Sequence, residues 1–307
     1  MSLAPVKTAG RPQPRHDPSG LPVGLLSAGL SRVSRVTTQA DQAQRFLALH
    51  RPGEPLLLPN PWDAGSARIL ASLGFAALAT TSSGSAMSLG GTDGSLRRDQ
   101  ALEHARTIVA ATGLPVSADL EHGFADDPDG VVETIQGALA AGLAGCSIED
   151  STGVDGDPIY GLELAAERIA AAAQAAHSGD VHLVLTARAE NYLHGRPDLA
   201  GTIARLQAFQ EAGADVLYAP GLTSLADIRQ VVAAVDRPVN VLALASCPPV
   251  ADLGAAGVAR VSVGGGFFAA AYGALITAAT ELRDQGTYGW AGGPGRAAVS
   301  AAFATQA

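Results

Sequence analysis

The stretch "LAAGLAGCSI", residues 139–148, decides the fold because it joins the end of a helix to the start of a buried strand. Ala and Leu before Gly142 fit the last turn of a helix, and glycine suits the left-handed conformation that often ends one. The run that follows is short and apolar, as expected of a strand covered on both faces. The stretch therefore predicts a helix-to-strand junction at Gly142.

The same junction recurs along the chain as "ASLGFAAL" (71–78), "QEAGADVLY" (210–218) and "GAAGVARVSV" (254–263). Apolar runs and Ala/Leu-rich runs alternate between these points. Strands are predicted at 55–59, 76–80, 115–119, 144–149, 182–187, 215–219, 239–243 and 260–263. Helices are predicted near 63–73, 97–112, 129–142, 161–177, 199–213, 224–235, 249–256 and 267–284.

Eight such units predict an α/β protein with the fold of a (β/α)8 TIM barrel. A doubly wound open sheet is the main alternative, but it usually has fewer units. The dinucleotide fingerprint G-x-G-x-x-G is also absent after the first predicted strand. We expect a disordered tail over residues 1–37, which are rich in Pro, Gly, Arg and Ser, a catalytic barrel over 38–290 and a helical extension over 291–307.

Composition narrows the function. The 307-residue chain is 47% hydrophobic and 16% charged, with a formal net charge of -9 and no Lys/Arg run. Such a chain is a poor candidate for binding nucleic acid or an anionic membrane. No apolar run approaches the length of a membrane span. Cys146 and Cys247 lie far apart and match no metal spacing, which favours the cytoplasm.

Polar residues follow the predicted strands, where a barrel places its chemistry. Asp119 and Glu121 stand two positions apart, so a strand would point both to the same side, and Glu149 ends the next strand. Three carboxylates in one cleft repel one another unless protons or a cation relieve them. Oxygen ligands alone favour Mg²⁺ or Mn²⁺ over Zn²⁺.

Simpler interpretations remain beside this one. The three acids could cap helices or pair with Arg97, Arg98 or Arg188. Arg188 fits a clamp for carboxylate or phosphate, because its planar fork binds such groups through two hydrogen bonds, but it could equally form a salt bridge to Glu149 or Glu190. His122 is a metal ligand in one interpretation and a local hydrogen-bonding residue in the other.

Two glycine-containing loops allow similar alternatives. "SSGS" (82–85) is either a tight turn whose backbone N–H groups bind an anion or an ordinary loop. Residues 264–266 resemble the phosphate position of barrels, although three glycines also make a plain turn, which we favour. Asp63 is expected to cap the first helix of the barrel.

Taken together, the segments resemble the isocitrate lyase / phosphoenolpyruvate mutase superfamily over roughly residues 40–285. The resemblance rests on "TSSGSAMSLGGTDG" (81–94), "SADLEHGF" (117–124), "GCSIEDS" (145–151), "LTARAENYL" (185–193) and "RPVNVLA" (237–243). Each motif is weak singly, and their order and spacing make the set specific. It implies a (β/α)8 barrel that binds Mg²⁺ and forms homo-oligomers, dimers or tetramers, usually with the last helix swapped between partners.

The resemblance also assigns expected roles. It implies a metal shell of acids, a loop whose N–H groups hold a substrate carboxylate, a substrate-binding Arg with an acid after it, and a polar contact on the seventh strand. The corresponding residues are Asp93, Asp119, Glu121 and Glu149 for the metal, Ser83, Gly84 and Ser85 for the loop, Arg188 and Glu190 after the fifth strand, and Asn240. Arg188, Asp93 and Glu190 are the predicted catalytic residues.

The chain departs from the family pattern at the loop "EDSTGVDGDPIYG" (149–161), which lacks the Cys that supplies a proton in isocitrate and methylisocitrate lyases. It also lacks the Lys and Asn of the phosphonopyruvate-forming mutases. Thr81 replaces a Tyr, Pro220 an acid, and Glu121 an Asp. These departures argue against the Cys-loop lyases and lower the mutase interpretation.

Three hypotheses follow from the sequence. The first is a Mg²⁺-dependent enzyme that cleaves a C–C bond in a small 2-oxo or 2-hydroxy carboxylate through a pyruvate-type enolate, as in oxaloacetate decarboxylation or a retro-aldol or retro-Claisen reaction. The second changes the bond to P–C, as in phosphoenolpyruvate mutase or phosphonopyruvate hydrolase. The third is a barrel that binds a 2-oxo acid without catalysis.

Overall fold

The structure is a computed structural model that describes residues 37–154, 156–292 and 295–304. Eight parallel strands run β1 to β8 and pair in the order β1-β8-β7-β6-β5-β4-β3-β2. The amide of Ala79 in β2 donates to Pro59 O beside β1 at 3.0 Å, which brings the two ends of the sheet together. The strands are Leu56–Leu58, Leu78–Ala79, Val116–Asp119, Gly145–Glu149, Val184–Arg188, Val216–Tyr218, Val239–Leu242 and Arg260–Ser262.

Helices follow the strands in alternation, which confirms the (β/α)8 TIM barrel. The helices are α1 Gln39–Ala48, α2 Ala64–Ser72, α3 Ser82–Ser88, α4 Arg98–Ala111, α5 Pro128–Ala140, α6 Leu162–His177, α7 Leu199–Glu211, α8 Leu225–Ala234, α9 Val250–Ala255, α10 Gly266–Gln285 and α11 Gly295–Ala304. A 3-10 turn spans Gly289–Gly292. All eight predicted strands and all eight predicted helices are present, with ends that differ by at most two residues.

The junction glycines behave as the sequence predicts. Gly74, Gly142, Gly213 and Gly257 all have positive φ, between 82° and 103°. A side chain disfavours that conformation, so glycine at these four positions lets each helix end and the next strand begin without strain. Asp63 caps α2 as predicted, since its side chain accepts a hydrogen bond from Ser66 N at 2.6 Å.

Helix α1 precedes the barrel and was not predicted. Its signal is a capping box, in which Thr38 and Asp41 each accept a hydrogen bond from the other's backbone. The helix buries Ala43 and Phe46 in an apolar cluster with interior residues of the strands. Phe46 lies against Gly145, where a Cβ would stand 2.8 Å from its ring. Helix α1 therefore closes the amino-terminal end of the barrel.

The larger apolar cluster lies between the strands and the surrounding helices, and it includes Ile108, Ile135, Leu185 and Phe209. Among the residues described, none of the helices combines the length and hydropathy that a bilayer span needs. The predicted tail, apart from residue 37, lies outside the described residues. Helix α11 falls within the predicted extension and packs beside α2, where Phe303 approaches Gly65.

Candidate active site

Asp119 ends β3 at the carboxyl end of the barrel, where hydroxyl groups hold its carboxylate. Ser82 Oγ donates to Asp119 Oδ2 at 2.9 Å, and Ser82 N lies 3.3 Å from the same oxygen. The amide of Asp119 donates to Thr80 Oγ1 at 2.9 Å. These contacts fix the carboxylate at the mouth, as second-sphere hydrogen bonds do for ligating groups.

Glu121 reaches the same region by a different route from the one predicted. The strand ends at Asp119, and Glu121 adopts a left-handed conformation with φ of 48°. A strand period therefore does not explain its direction. The turn leaves the residue 7% exposed and Oε1 without a hydrogen-bond partner. A non-glycine residue in this conformation costs free energy, which makes the turn a built feature of the site.

Arg188 joins three carboxylates. Its NH1 lies 2.6 Å from Asp119 Oδ1, its NH2 lies 3.0 Å from Glu149 Oε2, and its Nε lies 2.9 Å from Glu190 Oε1. The side chain is only 13% exposed, and its guanidinium stands 5.3 Å from the ring of Tyr218. The salt bridges to Glu149 and Glu190 that the sequence left open are thus both present, together with one to Asp119.

The two other arginines of the simpler interpretation lie elsewhere. Arg97 pairs with Asp99, and Arg98 pairs with Glu133. Among the described ion pairs, Arg188 is the only basic residue paired with the acids at the barrel mouth, namely Asp119, Glu149 and Glu190.

Burial and repulsion act on the acid cluster together. Burial raises the pKa of Glu121 to about 7, with further contributions from Asp119 and Asp93. Burial likewise raises the pKa of Glu149 well above its ordinary value and that of Glu190, although Arg188 opposes both shifts. Burial disfavours the charge of Arg188, but the acids around it outweigh this and raise its pKa. The single positive charge of Arg188 is not enough to neutralise all the carboxyl groups of this cluster.

Asp93 comes from the loop after α3. Its carboxylate faces the cleft, where Gly94 N donates to Oδ1 at 3.1 Å and Ser82 Oγ lies 3.5 Å away. Burial of that carboxylate and the charge of Asp119 raise its pKa, although the residue as a whole is exposed. Asp93 therefore belongs to the same electrostatic cluster as Asp119 and Glu121.

The segment 82–85 differs from the predicted tight turn, because it forms the first turn of α3. Gly84 N donates to Thr81 Oγ1 at 3.2 Å, and Ser85 N donates to Thr81 O at 3.0 Å. Ser83 lines the cleft, whereas Ser85 lines a separate groove beside Trp62. Two of the three predicted carboxylate-binding N–H groups are therefore already bonded within the helix cap, and the role of Ser83–Ser85 stays a prediction.

Asn240 points into the barrel from β7. Its Nδ2 donates to Ser262 Oγ at 3.0 Å, while its buried Oδ1 has no partner. Several residues that sequence reasoning passed over also line the interior: Ser147, Tyr218, Arg260 and Ser262. The signal that would have found the strand residues is the alternation along each strand, since Ser147 stands two before Glu149 and Ser262 two after Arg260.

Asp150, Arg205 and Arg168 brace the site without lining the cleft. Asp150 accepts from Glu190 N at 2.8 Å and from Arg205 NH1 at 2.9 Å, so it orients Glu190, two residues after Arg188. Arg168 is 1% exposed and donates to the carbonyls of Glu149, His122 and Ala125. The Asp150–Arg205 pair and Arg168 hold the loops that carry the acids.

Two cavities open at the mouth and share Ser82, Asp93, Arg188 and Leu193. The first has a volume of about 230 Å³ and extends down between the strands to Arg260. The second, about 550 Å³, is wider and is lined by Glu121, His122, Glu149 and Glu190. His122 faces this second cavity, so the structure leaves its predicted role as a ligand open.

The acid cluster fits a divalent cation in its chemistry. Glu121 Oε1 is buried without a donor, and burial, with repulsion from neighbouring acids, raises the pKa values of Glu121, Asp93 and Glu149. A hard cation with oxygen ligands relieves such a cluster. The ligands are not drawn together as tightly as in a finished metal site, because Arg188 lies among them.

Within the described part of the chain, the trio with ligand atoms closest together is elsewhere. His177, His182 and Asp215 have ligand atoms within 4.8 Å of one another, at the amino-terminal end of β5 and β6. Both histidines lie 3.0 Å from the Asp215 carboxylate, and their rings stack at 4.0 Å. This arrangement is separate from the cleft.

The loop after β4 closes on itself through an antiparallel bridge between Ser151 and Ile159. It supplies no cysteine to the cleft. Cys146 is fully buried within β4, and burial raises the pKa of its thiol to about 12, so it is a poor proton donor for chemistry at the mouth. Cys247 lies after β7 with Sγ 3.1 Å from Leu242 O.

Known proteins resemble this chain in sequence and in fold. The family model described as phosphoenolpyruvate phosphomutase matches residues 46–283. The 2-methylisocitrate lyase of Escherichia coli is 31% identical over 63% of this chain and 70% of its own length. The oxaloacetate decarboxylase of Chromohalobacter salexigens is 30% identical over 81% of this chain and 86% of its own length.

Solved structures extend the comparison. A Burkholderia cenocepacia J2315 protein described as a candidate lyase or mutase is 53% identical, covers 87% of this chain and 96% of its own, and has a TM-score of 0.82. Oxaloacetate acetylhydrolase in complex with the product oxalate is 25% identical, with coverages of 88% and 97% and a TM-score of 0.77. A 2,3-dimethylmalate lyase is also 25% identical, with coverages of 88% and 95% and a TM-score of 0.74.

Proposed function

The chain belongs to the phosphoenolpyruvate mutase / isocitrate lyase superfamily, and from that premise we propose that it is a Mg²⁺-dependent lyase. The proposed reaction cleaves a C–C bond in a small 2-oxo or 2-hydroxy carboxylate through a pyruvate-type enolate. The observation that carries this proposal is Arg188 set among Asp119, Glu149 and Glu190 at a cleft where Glu121 Oε1 has no partner. A site so rich in buried acids is suited to a cation and an anionic ligand together.

Asp119, Glu121, Glu149 and Asp93 are the residues we propose to hold the metal ion, with Mg²⁺ favoured and Mn²⁺ as the alternative. The bound ion supplies electrostatic stabilisation of developing negative charge on a substrate oxygen. Ser82 keeps the Asp119 carboxylate oriented through its hydrogen bond of 2.9 Å. His122 is not needed for this arrangement.

Arg188 is the proposed clamp for a substrate carboxylate. Its NH1 and NH2 now neutralise Asp119 and Glu149, so the guanidinium can turn toward substrate only when those charges are compensated in another way. Glu190 accepts a hydrogen bond from Arg188 Nε at 2.9 Å. This bond keeps the guanidinium plane in position while NH1 and NH2 change partners. Asp150 in turn fixes Glu190 through its backbone amide.

Support for C–C cleavage comes from relatives and from the loop after β4. An oxaloacetate decarboxylase, an oxaloacetate acetylhydrolase and a 2,3-dimethylmalate lyase are among the similar proteins. The loop between Ser151 and Ile159 carries no Cys, Lys or His, so the proton donor of the Cys-loop lyases has no counterpart there.

The test is a turnover screen. Purified protein with Mg²⁺ is incubated with oxaloacetate, 2,3-dimethylmalate, 2-methylisocitrate and related acids, and pyruvate and other 2-oxo acid products are quantified. We expect turnover of at least one substrate, its loss with EDTA, and its loss in Asp119→Asn. Full activity in EDTA or in Asp119→Asn contradicts the proposal.

P–C chemistry is the second candidate, favoured by the family model that matches residues 46–283. Phosphorus NMR with phosphonopyruvate and with phosphoenolpyruvate separates it from the first, since only a mutase or hydrolase creates a new phosphorus signal. A protein that binds oxalate with Mg²⁺ but turns over neither set of substrates is a non-catalytic binding barrel.

The protein is further proposed to be a homo-oligomer, a dimer or tetramer, assembled through α10. This helix of 20 residues buries only Phe268 among its described side chains, while Leu275 and Ile276 are 60% and 66% exposed. An apolar helix face of this kind is typical of a subunit interface. Localisation in the cytoplasm remains a proposal based on the free cysteines and the composition.

A further inference from the structure

Arg260 is a buried cation beneath the acid cluster. It opens β8, is 4% exposed, and pairs in register with Leu56 on one side and Asn240 on the other. Its guanidinium crosses the barrel interior to Thr186 on β5, with NH1 3.1 Å from Thr186 Oγ1. The side chain therefore forms part of the floor of the 230 Å³ cavity whose upper rim carries Asp119 and Arg188.

The contacts of Arg260 are all with neutral groups. NH1 also lies 3.1 Å from His50 Nε2, and His50 Nδ1 lies 2.9 Å from Phe46 O. Because Nδ1 must donate to that carbonyl, Nε2 is the acceptor and His50 is uncharged. Burial lowers the pKa of His50 to about 3, which agrees with this tautomer. Among the described residues, no carboxylate forms an ion pair with Arg260.

The hydrogen-bonding capacity of the floor is also incomplete. Arg260 Nε and Asn240 Oδ1 are both buried without a partner. Burying a charged group without a counter-charge is costly, and such groups are normally paired or hydrogen-bonded. By contrast, Arg188 at the top of the same cavity is bonded to three acids.

We infer that Arg260 forms a second anion subsite at the floor of the barrel, and that it binds the second carboxylate of a dicarboxylic acid held at the mouth by its first. This inference rests on the proposed function, since it adds a specificity-determining residue to the same cleft. Asn240 supplies a further polar contact, because its amide and the Ser262 hydroxyl can exchange donor and acceptor roles. The remaining wall carries the hydroxyls of Ser117 and Ser147.

The dimensions and charges favour this ligand over larger ones. A cavity of about 230 Å³ takes a small organic acid, given that one water occupies roughly 30 Å³ of liquid. A neutral group at the floor leaves Arg260 uncompensated, whereas a carboxylate supplies both the charge and acceptors for its N–H groups.

The subsite also bears on which carboxylate can leave. In decarboxylation the electron pair of the broken C–C bond passes to the remaining enolate, and the departing group becomes neutral CO2. A carboxylate paired with Arg260 would lose that pairing as the bond breaks, so the subsite stabilises the ground state of such a substrate more than its transition state. The carboxylate on Arg260 is therefore one that the substrate retains.

The test compares two acids that differ by one carboxylate, malate and lactate, each titrated calorimetrically into Mg²⁺-loaded protein, with oxalate as a probe for the mouth alone. We expect the wild type to bind malate about 10- to 100-fold more tightly than lactate, the range of a charge-assisted hydrogen-bond pair. Arg260→Gln should bind malate no better than lactate and should leave oxalate affinity within about twofold. Arg229→Gln, an exposed position on α8, is the matched control and should keep the full discrimination.

Arg260→Lys keeps a buried cation and serves if Arg260→Gln does not fold; it should retain part of the malate preference. Wild-type protein that binds oxalate but does not distinguish malate from lactate overturns the inference, as does an Arg260 variant that keeps the wild-type ratio. Such results leave the proposed function standing. Failure of the proposed function appears differently, as no oxalate binding and no turnover in the wild type.

Discussion

Arg188 NH1 lies 2.6 Å from Asp119 Oδ1, so the proposed substrate clamp now neutralises the foremost proposed metal ligand. The two residues stand on β5 and β3, with β4 between them, and the same guanidinium reaches Glu149 on that middle strand. A cation bound at the proposed metal site would therefore compete with Arg188 for the same carboxylate oxygens. Such competition would give the site two electrostatic states.

Arg188→Met separates the effect of Arg188 on metal binding from its effect on substrate binding. Removal of the competing guanidinium should leave Mg²⁺ affinity equal to or above the wild-type value, measured by calorimetry, while turnover falls by about 10²- to 10³-fold because the carboxylate clamp is lost. Without Mg²⁺ the variant should melt at a lower temperature, since Glu149 and Glu190 lose their counter-charge. A parallel fall in Mg²⁺ affinity and turnover would show that Arg188 supports the metal site.

Ser82→Ala tests the hydrogen bond that orients Asp119. The hydroxyl donates to Asp119 Oδ2 at 2.9 Å, and loss of such a second-sphere contact typically weakens metal binding by about 10- to 100-fold. Ser88→Ala is the matched control, because its hydroxyl donates within α3 to Ser85 O. Equal Mg²⁺ affinity in Ser82→Ala and wild type would remove Ser82 from the site.

Local signals were sufficient to predict the fold. Each junction glycine with positive φ, such as Gly142 or Gly213, marks the end of a helix, and this glycine can be recognised in the sequence. The strands between them are short apolar runs with no competing interpretation. Helix α1 was missed because its capping box at Thr38 follows a low-complexity segment, and its role at the barrel floor depends on a tertiary contact between Phe46 and Gly145.

The site was predictable in its residue types and less so in its geometry. Strand order places Asp119, Glu149 and Arg188 side by side, which the sequence anticipated. The left-handed turn at Glu121 could not be foreseen, because non-glycine residues rarely adopt it and a strand continuation was equally consistent with the sequence. The lack of a charged partner for Arg260 could not be predicted either, since it is recognised only when the neighbours of the residue in space are known.

Metal-free protein should lose stability as pH rises through neutrality. Burial raises the pKa of Glu121 to about 7 from 4.5, so the folded state holds a proton that the unfolded state has released. Its contribution is fully present below about pH 4.5 and is lost as pH rises through about 7, a change of about 3 kcal/mol for this group. Urea denaturation in EDTA at several pH values measures the slope.

Glu121→Gln provides the comparison for that experiment. The difference in unfolding free energy between variant and wild type should grow from pH 5 to pH 8, because only the wild type has a carboxyl group at position 121 that must release its proton over that range. Saturating Mg²⁺ should reduce the difference or reverse its sign. A pH-independent difference in EDTA would mean that Glu121 has an ordinary pKa.

Arg168→Met should destabilise the loops that carry the acids. The guanidinium donates to the backbone carbonyls of Glu149, His122 and Ala125 and stacks 4.1 Å from the Tyr160 ring centroid. Loss of these bonds leaves buried acceptors unsatisfied, with an expected cost of about 3 kcal/mol. Arg229→Met on the exposed face of α8 should cost less than about 0.5 kcal/mol, and a similar small value for Arg168→Met would contradict a bracing role.

Helix α10 is the proposed subunit interface. Ile276 is 66% exposed on a helix that buries little of its own surface, so a charge there should weaken the proposed subunit contact. Light scattering with size exclusion should find the wild type as a dimer or tetramer and Ile276→Glu shifted toward the monomer. Leu73→Glu, at 69% exposure beside α2, is the matched control for adding a charge to an exposed apolar position and should keep the wild-type mass. If the wild type is monomeric at micromolar concentration, or if both variants shift alike, the exposed face of α10 is not the interface.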